Sequence, residues 1–314
     1  MVKNRRLYII ALLILLACAS IKAYIILSEM YHTKLGQTPI VKNDNDSLNV
    51  PTMINKIDDT YYIVDGYNNN ILYSKELDVG LSSWNKIPGD FAHPHCFIGN
   101  GTFFIVVDTE NNRLVTYKKQ KDSFIQLETI DDVGYRPHYA LYNNDHYYIW
   151  NGINQMLVYT EKDCSLILER AYIIPELENC YVRSFTVEDN EWYFPTCSGK
   201  IVVTDSSFNY TREYTVPDDI AGLSYIYKRD EYWYVNVFTN IEYDTHYTDL
   251  VKCKDLSLLE KGDYESLYEE LGLKSAPYYV NTFDGSYYMA ALSGYNAIYR
   301  IDIINGKLKC VQIF

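Results

Sequence analysis

Pro94-His95-Cys96-Phe97-Ile98, a Gly99-Asn100-Gly101 turn, Phe103-Phe104-Ile105-Val106-Val107-Asp108, an Asn111-Asn112-Arg113 turn and Leu114-Val115-Thr116-Tyr117 follow one another without a break. Short apolar and β-branched runs bounded by Gly and Asn read as strand, turn, strand, turn, strand. The pattern stands 43 residues earlier at Pro51, Asp65 and Asn68-Asn69-Asn70, and 43 residues later at Pro137, Asn151 and Asn154. Residues that open the first strand are Pro51, Pro94, Pro137, Val182, Gly222 and Pro277, at intervals of 43, 43, 45, 40 and 55. Those that end the second strand, Asp65, Asp108, Asn151, Thr196, Asn236 and Ala291, repeat the same intervals. A period of this length, carrying three or four short strands, predicts an all-β chain folded as a six-bladed β-propeller.

The repeats occupy 50–314. Upstream, 29–49 is polar and aperiodic, with Gly36, Pro39 and Asn43-Asp44-Asn45-Asp46-Ser47, and reads as a stalk. Residues 1–28 read as a membrane anchor or signal segment: Lys3, Arg5 and Arg6 precede an apolar run from Leu7 to Ala17 that resumes after Lys22. Three outcomes stay open there. The segment stays as an anchor, is cut as a lipoprotein at Leu15-Leu16-Ala17-Cys18, or is cleaved at Ala17-Cys18-Ala19. Each places the propeller outside the cytoplasm, at the cell surface or secreted. The long interval before Pro277 predicts an insertion in blade five, with a short amphipathic helix over 263–273 that presents Leu267, Tyr268 and Leu271 on one face.

A net charge of −13, with no basic run beyond residue 6, excludes nucleic acid and anionic lipid surfaces as partners of the propeller. Tyr is abundant, at 33 residues, and falls in doublets such as Tyr61-Tyr62, Tyr147-Tyr148 and Tyr287-Tyr288, which suit strands buried on one or both faces. Seven Cys show no metal-finger spacing and read as buried thiols in separate strands. No Ser-His-Asp spacing and no Gly-rich phosphate loop occurs, and no cofactor is named by any motif.

Val106-Val107-Asp108-Thr109-Glu110-Asn111-Asn112-Arg113-Leu114 resembles the NHL repeat, an aliphatic pair, Asp, a short turn, Asn, Arg and an aliphatic residue. Ile63-Val64-Asp65 with Asn69-Asn70-Ile71 is similar but lacks the Arg, and blades four to six match only in spacing and strand character. The resemblance implies NHL-like architecture with an axial binding surface. It leaves activity open, since such propellers include enzymes and scaffolds.

In a propeller the loop entering the innermost strand opens on the channel mouth. The residues before the first landmark are Val50, His93, Arg136, Tyr181, Ala221 and Ala276, and those after it are Thr52, His95, His138, Arg183, Leu223 and Tyr278. Three His and two Arg thus fall on one arc. His93, His95, Arg136, His138, Tyr181, Arg183 and Tyr278 are the candidate ligand site, with Arg136 and Arg183 as donors to a carboxylate, phosphate or sugar acid. The bland alternative has these side chains bonded to carbonyls where the strands begin. A zinc triad of His93, His95 and His138, as in an NHL-like lyase, is the weaker reading, and no metal is assigned. Asp65 and Asp108 read as structural caps of the following turn. The function expected is a membrane-tethered, extracytoplasmic propeller that binds a protein, peptide or glycan partner at the channel mouth, in cell-envelope or glycan-related processes. The alternative is a hydrolase or lyase that uses the His and Arg of the channel.

Overall fold

Six antiparallel sheets, five of four strands and one of five, surround an axis in a computed structural model that describes residues 40–240, 245–292, 295–305 and 307–314. Blade two, for example, runs Pro94–Gly99, Phe103–Asp108, Arg113–Gln120 and Ser123–Ile130 from the channel outward. The innermost strands of the other blades are Pro51–Ile57, Ala140–Asn143, Thr186–Glu188, Leu223–Arg229 and Ala276–Phe283. The expected six-bladed, all-β architecture is what the chain adopts. Among the described residues no helix is long and apolar enough to cross a membrane. The expected anchor or signal segment, 1–28, lies outside them.

The tyrosine doublets follow from the geometry of a sheet packed on both faces. Neighbouring residues in a strand point to opposite faces, and in a propeller each face meets a different blade. Tyr147 packs on Phe103 of blade two at 5.7 Å between ring centres, while Tyr148 packs on Trp192 of blade four at 4.6 Å. Tyr62 meets Phe97 and Phe104 of blade two, and Tyr61 meets Phe283 of blade six.

The two sequence landmarks prove to be partners across one hairpin. Pro51 pairs with Asp65, Pro94 with Asp108, Val182 with Thr196 and Pro277 with Ala291. Their equal intervals therefore report one conserved hairpin length, not two separate coincidences. Asp65 and Asp108 are structural, but the backbone group they accept from lies in the loop entering the first strand instead of the following turn. Asp65 Oδ1 accepts from Asn49 N–H and Asp108 Oδ1 from Ala92 N–H, each at 2.7 Å. Asn69 and Asn112 then reach across to the next blade, accepting from His93 N–H at 2.9 Å and Arg136 N–H at 2.7 Å.

Two boundaries differ from the sequence reading. The second half of the expected stalk, 29–49, belongs to the propeller: Val41–Lys42 pairs with Asn85–Lys86 at the outer edge of blade one, and Asn43 and Leu48 are buried. Polar residues hid this because a two-residue edge strand needs no apolar period. In blade five the short α-helix is Leu256–Leu259, capped by the Asp255 side chain, while 263–273 forms the outer strand Glu265–Ser266 followed by a turn. Leu267 and Leu271 are buried as expected, and Leu271 N–H does donate to the Leu267 carbonyl. A single helical turn is all that forms, since Leu267 N–H is held by the Leu250 carbonyl of the blade.

Among the described residues no strand is shared between the first and last blades. The ring closes by side chains instead: Lys56 pairs with Asp284 at 2.5 Å, Asn281 donates to Asn55 at 2.8 Å, and Trp84 meets Phe314 edge-on at 5.6 Å.

Candidate ligand-binding site

At the first landmark the innermost strands of blades one, two and six carry a bulge, with register shifts between Pro51 and Met53, Pro94 and Cys96, and Pro277 and Tyr279. The extra residue of a bulge is left out of the ladder and re-aimed. Those residues are Thr52, His95 and Tyr278, and each lines a cavity of about 350 Å³ at the channel mouth. The residues before the landmark are aimed there by a second device. Val50, His93 and Arg136 hold left-handed φ angles of 55°, 45° and 50°, and all three line the same cavity. Such a backbone is strained for a β-branched Val, so the surrounding hydrogen bonds must hold it.

Of the seven candidate residues, His93, His95, Arg136, Tyr181, Arg183 and Tyr278 line this cavity. His138 does not. It is 2% exposed, its Nδ1–H donates to the Arg136 carbonyl at 2.6 Å, and the Tyr181 hydroxyl donates to its Nε2 at 2.6 Å. The Arg183 guanidinium lies over the Tyr181 ring at 5.2 Å. His138 is thus the neutral centre of a chain from phenol to imidazole to carbonyl, and burial, with neighbouring His95, holds its pKa well below the ordinary value.

His95 lies 4.4 Å from His138 between ring centres. Its Nδ1–H donates to the His93 carbonyl at 2.8 Å, which leaves Nε2 as an acceptor with no protein partner among the described residues. Burial, with the nearby Arg136 and Arg183 charges, lowers its pKa to about 4. His93 is at the rim, stacked on Tyr67 at 4.4 Å, with its ring 3.8 Å from Glu110. These commitments leave His138 no lone pair for a metal, and among the described residues no three His, Cys, Asp or Glu converge as a metal set.

The two arginines differ. Arg136 is partly exposed and paired with Glu110. Arg183 is 5% exposed and donates to the Phe238 carbonyl at 2.8 Å, with its guanidinium over the rings of Phe238 at 4.6 Å and Tyr181 at 5.2 Å. No carboxylate meets it among the described residues. Carbonyl and ring contacts satisfy donors but do not neutralise the charge.

Sequence reasoning missed Glu110, Tyr67 and Phe238, and a signal for them existed. Each stands two residues after a second-strand landmark: Tyr67 after Asp65, Glu110 after Asp108, Ile153 after Asn151 and Phe238 after Asn236. Tyr67 and Phe238 line the mouth cavity, Glu110 pairs with Arg136 on its wall, and Ile153 lines a neighbouring cavity.

Compared with known protein families the chain matches none, and no curated protein matches it. Solved structures are similar in fold. A proposed 6-phosphogluconolactonase from Bacteroides uniformis aligns with a TM-score of 0.57 and 14% identity, over 85% of this chain and 86% of that one. A second from Bacteroides fragilis gives 0.58 and 12%, over 83% of each chain. A protein from Lactobacillus plantarum gives 0.58 and 14%, over 86% of this chain and 87% of that one. At such identities the likeness concerns the propeller fold alone.

Proposed function

We propose that this chain is a membrane-tethered propeller, displayed outside the cytoplasm, that binds an anionic group at its channel mouth. Arg183 carries the reading. A guanidinium that is always charged, 5% exposed and without a carboxylate partner among the described residues sits on the wall of an open cavity. Leaving such a charge unpaired is costly, and an anionic ligand supplies the missing partner. His95 Nε2 adds an acceptor for a hydroxyl or amide of that ligand. The anion is a carboxylate or phosphate, borne by a peptide, glycan or protein partner. The tether rests on Lys3, Arg5 and Arg6 ahead of the apolar run from Leu7 to Leu27.

The test is a titration of acetate and of inorganic phosphate into the full chain and its Arg183→Met variant. Loss of a charge-assisted contact weakens binding by about 2 kcal/mol, roughly thirtyfold. Equal binding by both chains, or none by the wild type, would sink the proposal.

A hydrolase reading has its own observation. His95 is neutral, pinned through Nδ1–H, and opens Nε2 to a cavity that also holds Arg183, the arrangement of a general base beside an anion stabiliser. Two structural neighbours carry a lactonase name. On this reading lactone hydrolysis is measurable and falls by about a hundredfold or more in His95→Asn, while anion binding persists. No turnover by the wild type rejects it.

A further inference from the structure

The mouth cavity is not isolated. Arg136 and Tyr181 line it and also line a second cavity of about 580 Å³ between blades three and four. Its outer lip is built from two crossing loops. Tyr135 N–H donates to the Asn151 carbonyl at 2.9 Å, and the approach is so close that a Cβ on Gly152 would stand 1.9 Å from the Tyr135 carbonyl oxygen. A Cβ on Gly134 would stand 2.0 Å from the Asn151 oxygen. Both glycines have positive φ, 151° at Gly134 and 77° at Gly152. This crossing leaves Tyr135 and Ile153 exposed at 64% and 47%, side by side on the lip of the cleft.

Large apolar side chains held outward by a backbone that only glycine permits mark a contact surface. The cleft walls supply rings, aliphatic carbon and sulfur, with Asn179, Arg136 and the hydroxyls of Tyr135 and Tyr181 as the polar side-chain groups. A sugar needs many donors and acceptors around it, whereas an aryl or alkyl group needs only such walls.

Building on the anion-binding reading of Arg183, we propose that the ligand is a small amphipathic carboxylate. Its head sits at Arg183 and its apolar tail crosses Tyr181 into the cleft between blades three and four. The two cavities hold one ligand in two parts. The charge is answered on the channel side and the tail leaves water on the blade-three side, where Tyr135 and Ile153 cover it.

Acetate and 3-phenylpropionate share a head and differ in the tail, so the ratio of their dissociation constants isolates the cleft. In the full chain, followed by ligand-observed NMR, 3-phenylpropionate binds about tenfold or more tightly than acetate. Ile153→Glu and Tyr135→Ser, both at exposed positions that do not endanger folding, bring the ratio toward one and leave acetate binding unchanged. A ratio near one in the wild type, or a ratio that neither variant moves, overturns the two-part ligand while the anion site stands. Binding of neither acid removes the anion site itself.

Discussion

Asp108 and Arg183 are both buried charges, and the protein treats them in opposite ways. Asp108 is answered from inside: Ala92 N–H, the Asn111 amide and the Arg113 guanidinium all reach its oxygens, the last at 2.7 Å. Arg183 has a carbonyl and two rings. Asp65 lies between them. It occupies the same place in blade one and keeps the contacts to Asn49 and Asn68, but Asn70 stands where Arg113 serves blade two, and burial pushes its pKa up to about 6. A buried charge answered by its own fold is structure; on the function proposed above, Arg183 is one that another molecule answers.

The comparison breaks most visibly at Asp108. Asp108→Ala leaves a backbone N–H, an amide and a guanidinium without their acceptor, and unfolding in denaturant should show a loss of about 3 kcal/mol. A loss below about 1 kcal/mol would mean that the latch is ornamental. Asp65 should show an effect of the opposite sign. Its folded-state pKa lies above the ordinary 3.8, so the folded chain keeps a proton that the unfolded chain has released. Stability from this group therefore falls as pH rises from about 4 to about 6. Asp65→Asn keeps an acceptor for Asn49 N–H and removes the charge. It should be equal in stability to the wild type below pH 4 and more stable by up to about 3 kcal/mol at pH 7; a constant difference across that range would contradict the burial argument. The smallest stability change belongs to Arg183→Met, where a charge with no carboxylate partner among the described residues is replaced by an apolar stem between Tyr181 and Phe238. Its midpoint of denaturation should move by less than about 1 kcal/mol in either direction, even as anion binding is lost. A large destabilisation would place Arg183 with Asp108, among the residues that hold the fold.

The sequence by itself determined the propeller. A repeat of hairpins with a constant 14-residue offset between Pro51 and Asp65, or Pro94 and Asp108, is a local property of the chain, and local properties are legible in sequence. Alternation in the strands likewise made the tyrosine doublets readable as faces of a sheet packed on both sides. It also brought His93, His95, Arg136, Tyr181, Arg183 and Tyr278 to one mouth, because equivalent slots in a repeat are equivalent in space. Which of them face the cavity was decided by tertiary structure. Bulges aim His95 and Tyr278 inward, whereas His138, in the same slot, lies where the strand has not yet begun and is capped by Tyr181 from the next blade. Glu110 claims Arg136 from one blade away and no acid among the described residues claims Arg183. Partnership across blades depends on how far two loops stand apart once the ring has closed, and no spacing along the chain encodes that distance. The same holds for the edge strand Val41–Lys42 and for the turn that replaces a helix after Glu265–Ser266. Both are short enough that the neighbouring sheet, not the residues' own pattern, chooses their conformation.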